Sequence, residues 1–313
     1  MCERPSRAAL KPRARVGRGV QLIVHGGAGS PPDEPDDRQA VLDDAAAAGA
    51  ASETVTDAVV AAVRVLEADP RFNAGTGGAI QSDGVVRTDA GLMTDDRQVG
   101  AASAMPGVER ALDVARVVKA ETPHILVSGV HAIDLAEAFD VPTAVDLTTE
   151  ASRERWAETG APEGADTREH LSFVQKRFGE GGGGDGRWNH DTVGAVARDG
   201  DRVAAATSTG GRWCALAGRV GDVPQVGSGF YCARLGGASA TGAGEDIARV
   251  TLARRAVDHL ERGRDPQAAA DLAIEEFADL TGSEAGVIVM GNDGRYGSAY
   301  NSDAMQVALV DGN

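Results

Sequence analysis

Apolar and polar positions divide the chain into two regularly patterned stretches separated by one without a pattern. Residues 21–25 form an apolar run ending in His25-Gly26-Gly27-Ala28-Gly29, the signature of a buried strand entering a glycine turn. Helical periodicity follows over residues 38–51 and 55–69. In the second of these Val59, Val60, Val63 and Leu66 share a face, and Pro70 is the stop. Phe72-Asn73-Ala74-Gly75-Thr76-Gly77-Gly78 is a glycine-rich loop, and residues 79–93 read as a hairpin around Ser82-Asp83-Gly84. A strand over 100–104, a helix over 108–121, a strand over 124–127 and a helix over 132–139 complete this stretch.

From about residue 148 to 189 the periodicity dissolves into Glu, Arg, Gly and Thr. Only Leu171, Phe173 and Val174 point to a helix, and Gly181-Gly182-Gly183-Gly184 predicts a flexible tether. The segment is a linker within one domain. The second stretch predicts strands over 192–197 and 202–206 flanking Asp199-Gly200, helices over 245–262 and 266–280, and strands over 286–290 and 305–310. Each half mixes strands with helices, and hairpins require antiparallel pairing. The expectation is an α+β sandwich, two packed sheets with helices outside, rather than a doubly wound parallel sheet. There is no internal repeat.

Composition narrows the function classes. The 42% hydrophobic content of the 313 residues supports a sizeable core. No apolar run approaches the ~18 residues of a membrane span. Residues 1–19 carry Arg4, Arg7, Lys11, Arg13, Arg15 and Arg18 without an apolar segment, so they read as a mobile basic tail and not a secretory signal. A net charge of −16 argues against nucleic-acid or anionic-membrane partners. Lys11, Lys119 and Lys176 are the only lysines, and scarce Lys with excess Asp fits a protein hydrated in concentrated salt. A GC-rich genome is the competing explanation, and refolding yield against KCl concentration separates the two. Cys2, Cys214 and Cys232 have no metal-ligand spacing and read as free thiols, which favours a cytoplasmic location.

The candidate chemistry centres on Asn189-His190-Asp191-Thr192-Val193-Gly194-Ala195-Val196, where a polar run meets a buried strand just after the tether. Asp191-Thr192 can simply begin the strand. Alternatively, cutting before Thr192 would give a threonine that carries its own base, because an α-amine titrates near pH ~8. Inside an uncut chain the same hydroxyl can attack the Asp191 carbonyl, and hydrolysis of the resulting ester completes the cut. Thr207-Ser208-Thr209-Gly210-Gly211 ends the next strand. Gly218-Arg219-Val220-Gly221-Asp222 sets a cation and an anion three apart, and Thr241-Gly242-Ala243-Gly244-Glu245 precedes a helix. Singly these are a surface ion pair and a helix cap. Together, Arg219 can hold a carboxylate and Asp222 an ammonium, the two charged groups of an α-amino acid. Thr241 and the Gly242 N–H can then stabilise an oxyanion formed at Thr192. His25-Gly26-Gly27-Ala28-Gly29 is not a nucleotide loop, since no Lys-Ser/Thr follows it.

These ordered motifs, with Phe72-Asn73-Ala74-Gly75, resemble those of the plant-type (type III) L-asparaginases, also called isoaspartyl peptidases, within the N-terminal-nucleophile hydrolases. The likeness covers roughly residues 20–310 apart from the linker. It implies a four-layer αββα sandwich cut between Asp191 and Thr192 into an α subunit (20–191) and a β subunit (192–313), both forming one structural domain. Two such αβ units would pair as a homodimer. The implied reactions are hydrolysis of L-asparagine to L-aspartate and ammonia, and cleavage of β-aspartyl dipeptides, with no catalytic cofactor. Carried across, Thr192 is the nucleophile, Thr209 tunes its hydroxyl, and Thr241 and Gly242 form the oxyanion hole. Arg219, Asp222 and the Gly244 backbone bind the substrate's α groups, and Asn73 orients the site. The resemblance also implies a structural sodium on the carbonyls of Leu66, Glu67, Asp69, Phe72, Ala74 and Thr76. This chain departs from the family's Lys-x-Pro-Gly-Arg approach with Arg212-Trp213-Cys214-Ala215-Leu216-Ala217-Gly218, a segment bordering the pocket. Glycosylasparaginases share several elements, but usually show Thr-Ser-Thr-Asn and lack the His-Gly-Gly-Ala-Gly opening. The threonine aspartase that cleaves proteins usually has a much longer linker. A non-catalytic amino-acid-binding protein on the same fold is the alternative from another class.

Overall fold

The computed structural model describes residues 19–162, 164, 166–179 and 192–312. The tail through residue 18, the tetraglycine, Asp191 and Cys2 therefore lie outside the described residues. Strand β1 (Gln21–Gly29) is followed by α1 (Pro35–Ala50), α2 (Val55–Ala68), β2 (Arg87–Thr94), β3 (Val99–Pro106), α3 (Ala111–Glu121), β4 (Leu126–Ser128) and α4 (Val130–Ala138). Next come α5 (Glu150–Ala157), α6 (Thr167–Phe178), β5 (Val193–Asp199), β6 (Arg202–Thr209), β7 (Phe230–Ala233) and β8 (Gly236–Gly242). The chain continues with α7 (Gly244–Val250), α8 (Leu252–Glu261), α9 (Pro266–Thr281), β9 (Ala285–Gly291), β10 (Tyr296–Tyr300) and β11 (Ala304–Val310).

Seven strands form one sheet in the order β11-β1-β5-β6-β2-β3-β4, and four form a second in the order β10-β9-β8-β7. Named strands pair antiparallel except for β3 with β4. Helices α1, α2 and α3 cover the outer face of the first sheet, while α8 and α9 cover that of the second. The layers thus run helix, sheet, sheet, helix, as the patterning predicted. One core lies under α1–α3, with Leu42, Leu66, Phe72, Leu92 and Leu112 fully or nearly fully buried. The other fills the space between the sheets and under α8 and α9, with Ile23, Val196, Phe230, Ile288 and Phe277. Each large apolar side chain so buried is worth about 1.5–3 kcal/mol.

Local rules explain several elements. Thr54 caps α2 by accepting from the Asp57 N–H at 3.1 Å. Asp265 caps α9, Pro266 occupies its first turn, and Gly282 ends it at φ 68°. Other expectations need correction. The His25-Gly26-Gly27-Ala28-Gly29 turn is a bulged continuation of β1, its register shifting between His25 and Ala28. The 79–93 hairpin is only one bridge, Ile80 with Val86; β2 begins at Arg87 and turns at residues 95–98 to pair with β3. The linker holds α6, the helix to which Leu171, Phe173 and Val174 point, and an unexpected α5, each begun by a reciprocal cap, Asp166 with Glu169 and Thr149 with Ser152. The helix expected over 245–262 breaks at Thr251, which takes φ 54°. Periodicity does not predict strands β7, β8 and β10; β7 is only four residues long, and β8 is a small-residue strand buried on both faces.

Candidate active site

Strand parity brings three hydroxyls to one end of the space between the sheets. Successive strand residues face opposite sides. In β5, Val193, Ala195 and Ala197 pack under the helices and Val196 between the sheets. Thr192, buried just before β5, therefore shares the side of Gly194 and Val196. In β6, Ala204 and Ala206 face the helices while Val203 and Ala205 face the second sheet. Thr207 and Thr209 thus point toward Thr192's side. Ser208 points away and donates to Glu67 Oε1 at 2.6 Å. In β8, Gly237 approaches Val196, Val203 and Ala205, and Ser239 Oγ lies 2.7 Å from His25 Nε2, so Thr241 also faces the first sheet.

The sheets are close here. A Cβ on Gly194 would lie 2.0 Å from Ser239 Oγ and 2.5 Å from His25 Nε2, which makes glycine the residue that fits. Burial lowers the pKa of His25 to about 3, outweighing an opposing contact with the Thr192 backbone, so the ring is neutral.

Asn73 ties two loops together at this end. Its Oδ1 accepts from the Ala79 N–H at 2.8 Å and its Nδ2 donates to the Gly211 carbonyl at 2.7 Å. Its own carbonyl accepts from the Gly210 N–H at 2.9 Å and from Thr209 Oγ1 at 3.4 Å. Asn73 therefore fixes the backbone around Thr209 rather than lining the pocket. The loop that carries it curls back on α2. A Cβ on Gly75, at φ 55°, would meet the carbonyl oxygens of Glu67 at 2.2 Å and Glu109 at 2.7 Å, so carbonyls converge there. Glu67 O and Asp69 O each accept one loop N–H, from Thr76 and Phe72. A carbonyl has two lone pairs, so both keep capacity for a hard cation. Glu67 itself is buried, and burial raises its carboxyl pKa to about 8 against the bonds from Ser208 and the Leu112 N–H.

Arg219 is not the surface partner of Asp222. Its Nε and Nη2 donate to Glu245 Oε1 and Oε2, both at 2.8 Å. Burial opposes its charge, but the Glu245 bonds outweigh that and raise its pKa, while the same pair holds Glu245 at about 2 against its own desolvation. The bidentate grip uses the Nε–Nη2 edge and leaves the Nη1–Nη2 edge free. Gly221 and Gly244 make room, since a Cβ on either would come within 2.8 Å of the guanidinium. Asp222 is buried, and burial raises its pKa to about 7 although Arg219 draws it down. Among the described residues, Asp222 Oδ2 and Thr241 Oγ1 are buried without a hydrogen-bond partner. Buried polar atoms without partners are costly, and such vacancies are where a ligand's complementary groups fit.

Thr192, Thr209, Arg219, Asp222, Gly242 and Gly244 line one small pocket, with Gly211, Arg212 and Gly221 completing its wall. Thr241 lies behind it, next to Gly242. The motif residues named from the sequence thus meet in space, apart from Asp191, which lies outside the described residues, and Asn73, which acts from behind. Sequence reasoning assigned no role to Glu245 or Arg212. Glu245 was visible only as the acidic residue of a helix's first turn. Chemically, the pocket offers a buried hydroxyl beside a second hydroxyl, a planar cation with a free edge, and a carboxyl with an open oxygen. That set suits a small zwitterion carrying an electrophilic carbonyl.

A family model described as Asparaginase matches residues 18–313. The chain is 38% identical over 260 residues to the plant-type L-asparaginase of Pyrococcus furiosus, covering 81% of this chain and 82% of that protein. It is 36% identical over 302 residues to the plant-type L-asparaginase of Pyrococcus horikoshii, covering 93% and 96%. It is 35% identical over 300 residues to the isoaspartyl peptidase/L-asparaginase of Danio rerio, covering 92% and 91%.

Proposed function

The chain belongs to the asparaginase family, and from that premise we propose that it is a self-cleaving threonine amidohydrolase acting on L-asparagine and β-aspartyl dipeptides. The observation that carries the reading is the convergence of Thr192, Thr209, Arg219, Asp222 and Gly242 on one pocket, although the chain supplies them from four separate segments. The names borne by the relatives support the substrate class.

In the first reaction the Thr192 hydroxyl attacks the Asp191 carbonyl. The peptide C–N bond breaks, an ester forms, and water hydrolyses it to leave Asp191 with a free carboxylate and Thr192 with a free α-amine. The products are the α subunit (20–191, preceded by the tail) and the β subunit (192–313). In the second reaction the α-amine takes the hydroxyl proton as Oγ1 attacks the substrate's side-chain carbonyl. Charge on the carbonyl oxygen is met by the unpartnered Thr241 hydroxyl and the Gly242 N–H. The proton passes to the departing ammonia or amine, and water then releases L-aspartate from the acyl-enzyme. Thr209, held by Asn73, tunes the nucleophile's surroundings.

Binding follows from the same vacancies. The free edge of Arg219 takes the α-carboxylate, Asp222 Oδ2 takes the α-ammonium, and the Gly244 backbone assists. No cofactor is required by these steps. The resemblance implies a structural sodium held by the carbonyls of Leu66, Glu67, Asp69, Phe72, Ala74 and Thr76; of these, Glu67 O and Asp69 O each accept one loop N–H and retain a second lone pair. The ion would brace the loop that carries Asn73 and would take no part in the chemistry. Two αβ units pair in this reading, which sedimentation of the processed protein tests.

The direct test of the reaction is ammonia and aspartate release from L-asparagine by the purified protein and by Thr192→Ala. Turnover confined to the wild type supports the amidohydrolase. Aspartate binding without turnover in either protein favours the non-catalytic alternative.

A further inference from the structure

One cation in the pocket has no counterpart in asparagine. Asparagine presents a single α-carboxylate and a single α-ammonium, which Arg219 and Asp222 match. Arg212, three positions after Thr209, lines the same pocket. Its Nη1 reaches Glu245 Oε2 only at 3.4 Å, a long contact, and its Nε is buried with no hydrogen-bond partner among the described residues. The guanidinium stacks on the Phe178 ring at 4.2 Å, which fixes its plane. Its side chain is 28% exposed against 16% for Arg219, so Arg219 is the inner cation and Arg212 the outer one.

A β-aspartyl dipeptide has a second carboxylate. It lies three bonds from the scissile carbonyl carbon on the leaving side, as the α-carboxylate lies three bonds away on the other side. The leaving residue must depart toward solvent, where the outer cation sits. We propose that Arg212 receives the α-carboxylate of the leaving residue, so that this pocket selects β-aspartyl peptides with a free C-terminal carboxylate directly beyond the scissile amide. The inference rests on the hydrolase reading and deepens it. Arg219 holds the aspartyl half, Arg212 holds the leaving half, and Glu245 keeps the two guanidiniums apart while the pocket is empty. After cleavage the released amino acid keeps its carboxylate on Arg212 until it diffuses away.

The test compares β-aspartyl-leucine with β-aspartyl-leucine amide, which differ only in that carboxylate. The wild type should show kcat/KM about tenfold or more higher for the acid, the size of one charge-assisted hydrogen bond. Arg212→Gln should reduce the ratio to near one, mostly through KM, and Arg212→Lys should retain part of it. Equal turnover of acid and amide by the wild type overturns the proposal and needs no variant, so a folding defect in Arg212→Gln cannot hide failure. A ratio that survives Arg212→Gln overturns it as well. Turnover of L-asparagine with both dipeptides left intact overturns this inference and leaves the amidohydrolase standing. No turnover of any of the three substrates removes both.

Discussion

The space between the two sheets has two unlike regions built from the same strands. Along most of its length Ile23, Val196, Val203, Ala205 and Phe230 fill it with apolar side chains. At one end the same faces of β5, β6 and β8 present Thr192, Thr209 and Thr241, and loops deliver Arg219 and Asp222. The difference teaches where this fold can place chemistry. Mid-strand positions are committed to packing and to ladder hydrogen bonds. Strand ends free a hydroxyl or an N–H, and the loops that follow can bring charge to it. The apolar region supplies rigidity; the polar end gives up stability for unfilled hydrogen bonds.

The strongest way to break that comparison is Thr192→Ala. It should abolish self-cleavage and lower hydrolysis by about 10⁴-fold or more while thermal stability stays near wild type. Ammonia release and a melting curve read the two effects. Phe230→Ala should do the reverse. Phe230 is fully buried and packs so closely on β2 that a Cβ on Gly91 would lie 2.1 Å from its ring. Its loss should cost about 3–5 kcal/mol in denaturant unfolding, and protein that still folds should still bind aspartate.

Asp222→Asn keeps the shape and removes the charge. It should lower kcat/KM for L-asparagine about 100-fold, mainly through KM, as expected when a buried ion pair with the substrate is lost. The smallest effect is the pH dependence of wild-type binding. Asp222 titrates near about 7 when the pocket is empty, above the usual carboxylate range. Ammonium binding needs its ionised form, so the affinity for L-aspartate should fall about tenfold per pH unit as pH drops below about 7. For stability the sign is opposite. A carboxyl with a raised folded pKa contributes most below its unfolded value, near ~4, and that contribution is lost as pH rises through about 7. Urea midpoints of Thr192→Ala at pH 5 and pH 8 would show this, and adding Asp222→Asn should reduce the difference, the remainder coming from Glu67 and Asp89, whose folded pKa values are also raised, to about 8 and about 7.

Legibility in the sequence followed the same division. Strands β1, β5 and β6 and helix α2 were readable because their apolar residues sit at strand or helix spacing. The site motifs were readable because glycines, threonines and charges cluster where strands end. Strand β8 was not readable, since Gly236-Gly237-Ala238-Ser239 has small residues on both faces and no alternation. Helix α5 announces itself by its cap instead of an apolar face, whereas Leu171, Phe173 and Val174 gave α6 away. The break at Thr251 needs its left-handed backbone, which no pattern encodes. Arg219 grips Glu245 across 26 positions of sequence, a pairing that only the folded loop reveals.

Central to the account is a Thr192 made N-terminal by the chain itself, and the mass of the purified protein after a day at neutral pH tests that most directly. The account predicts two chains, the lighter spanning residues 192–313 and beginning with Thr192, while Thr192→Ala remains whole. A wild-type chain that stays intact and yet hydrolyses L-asparagine would contradict it.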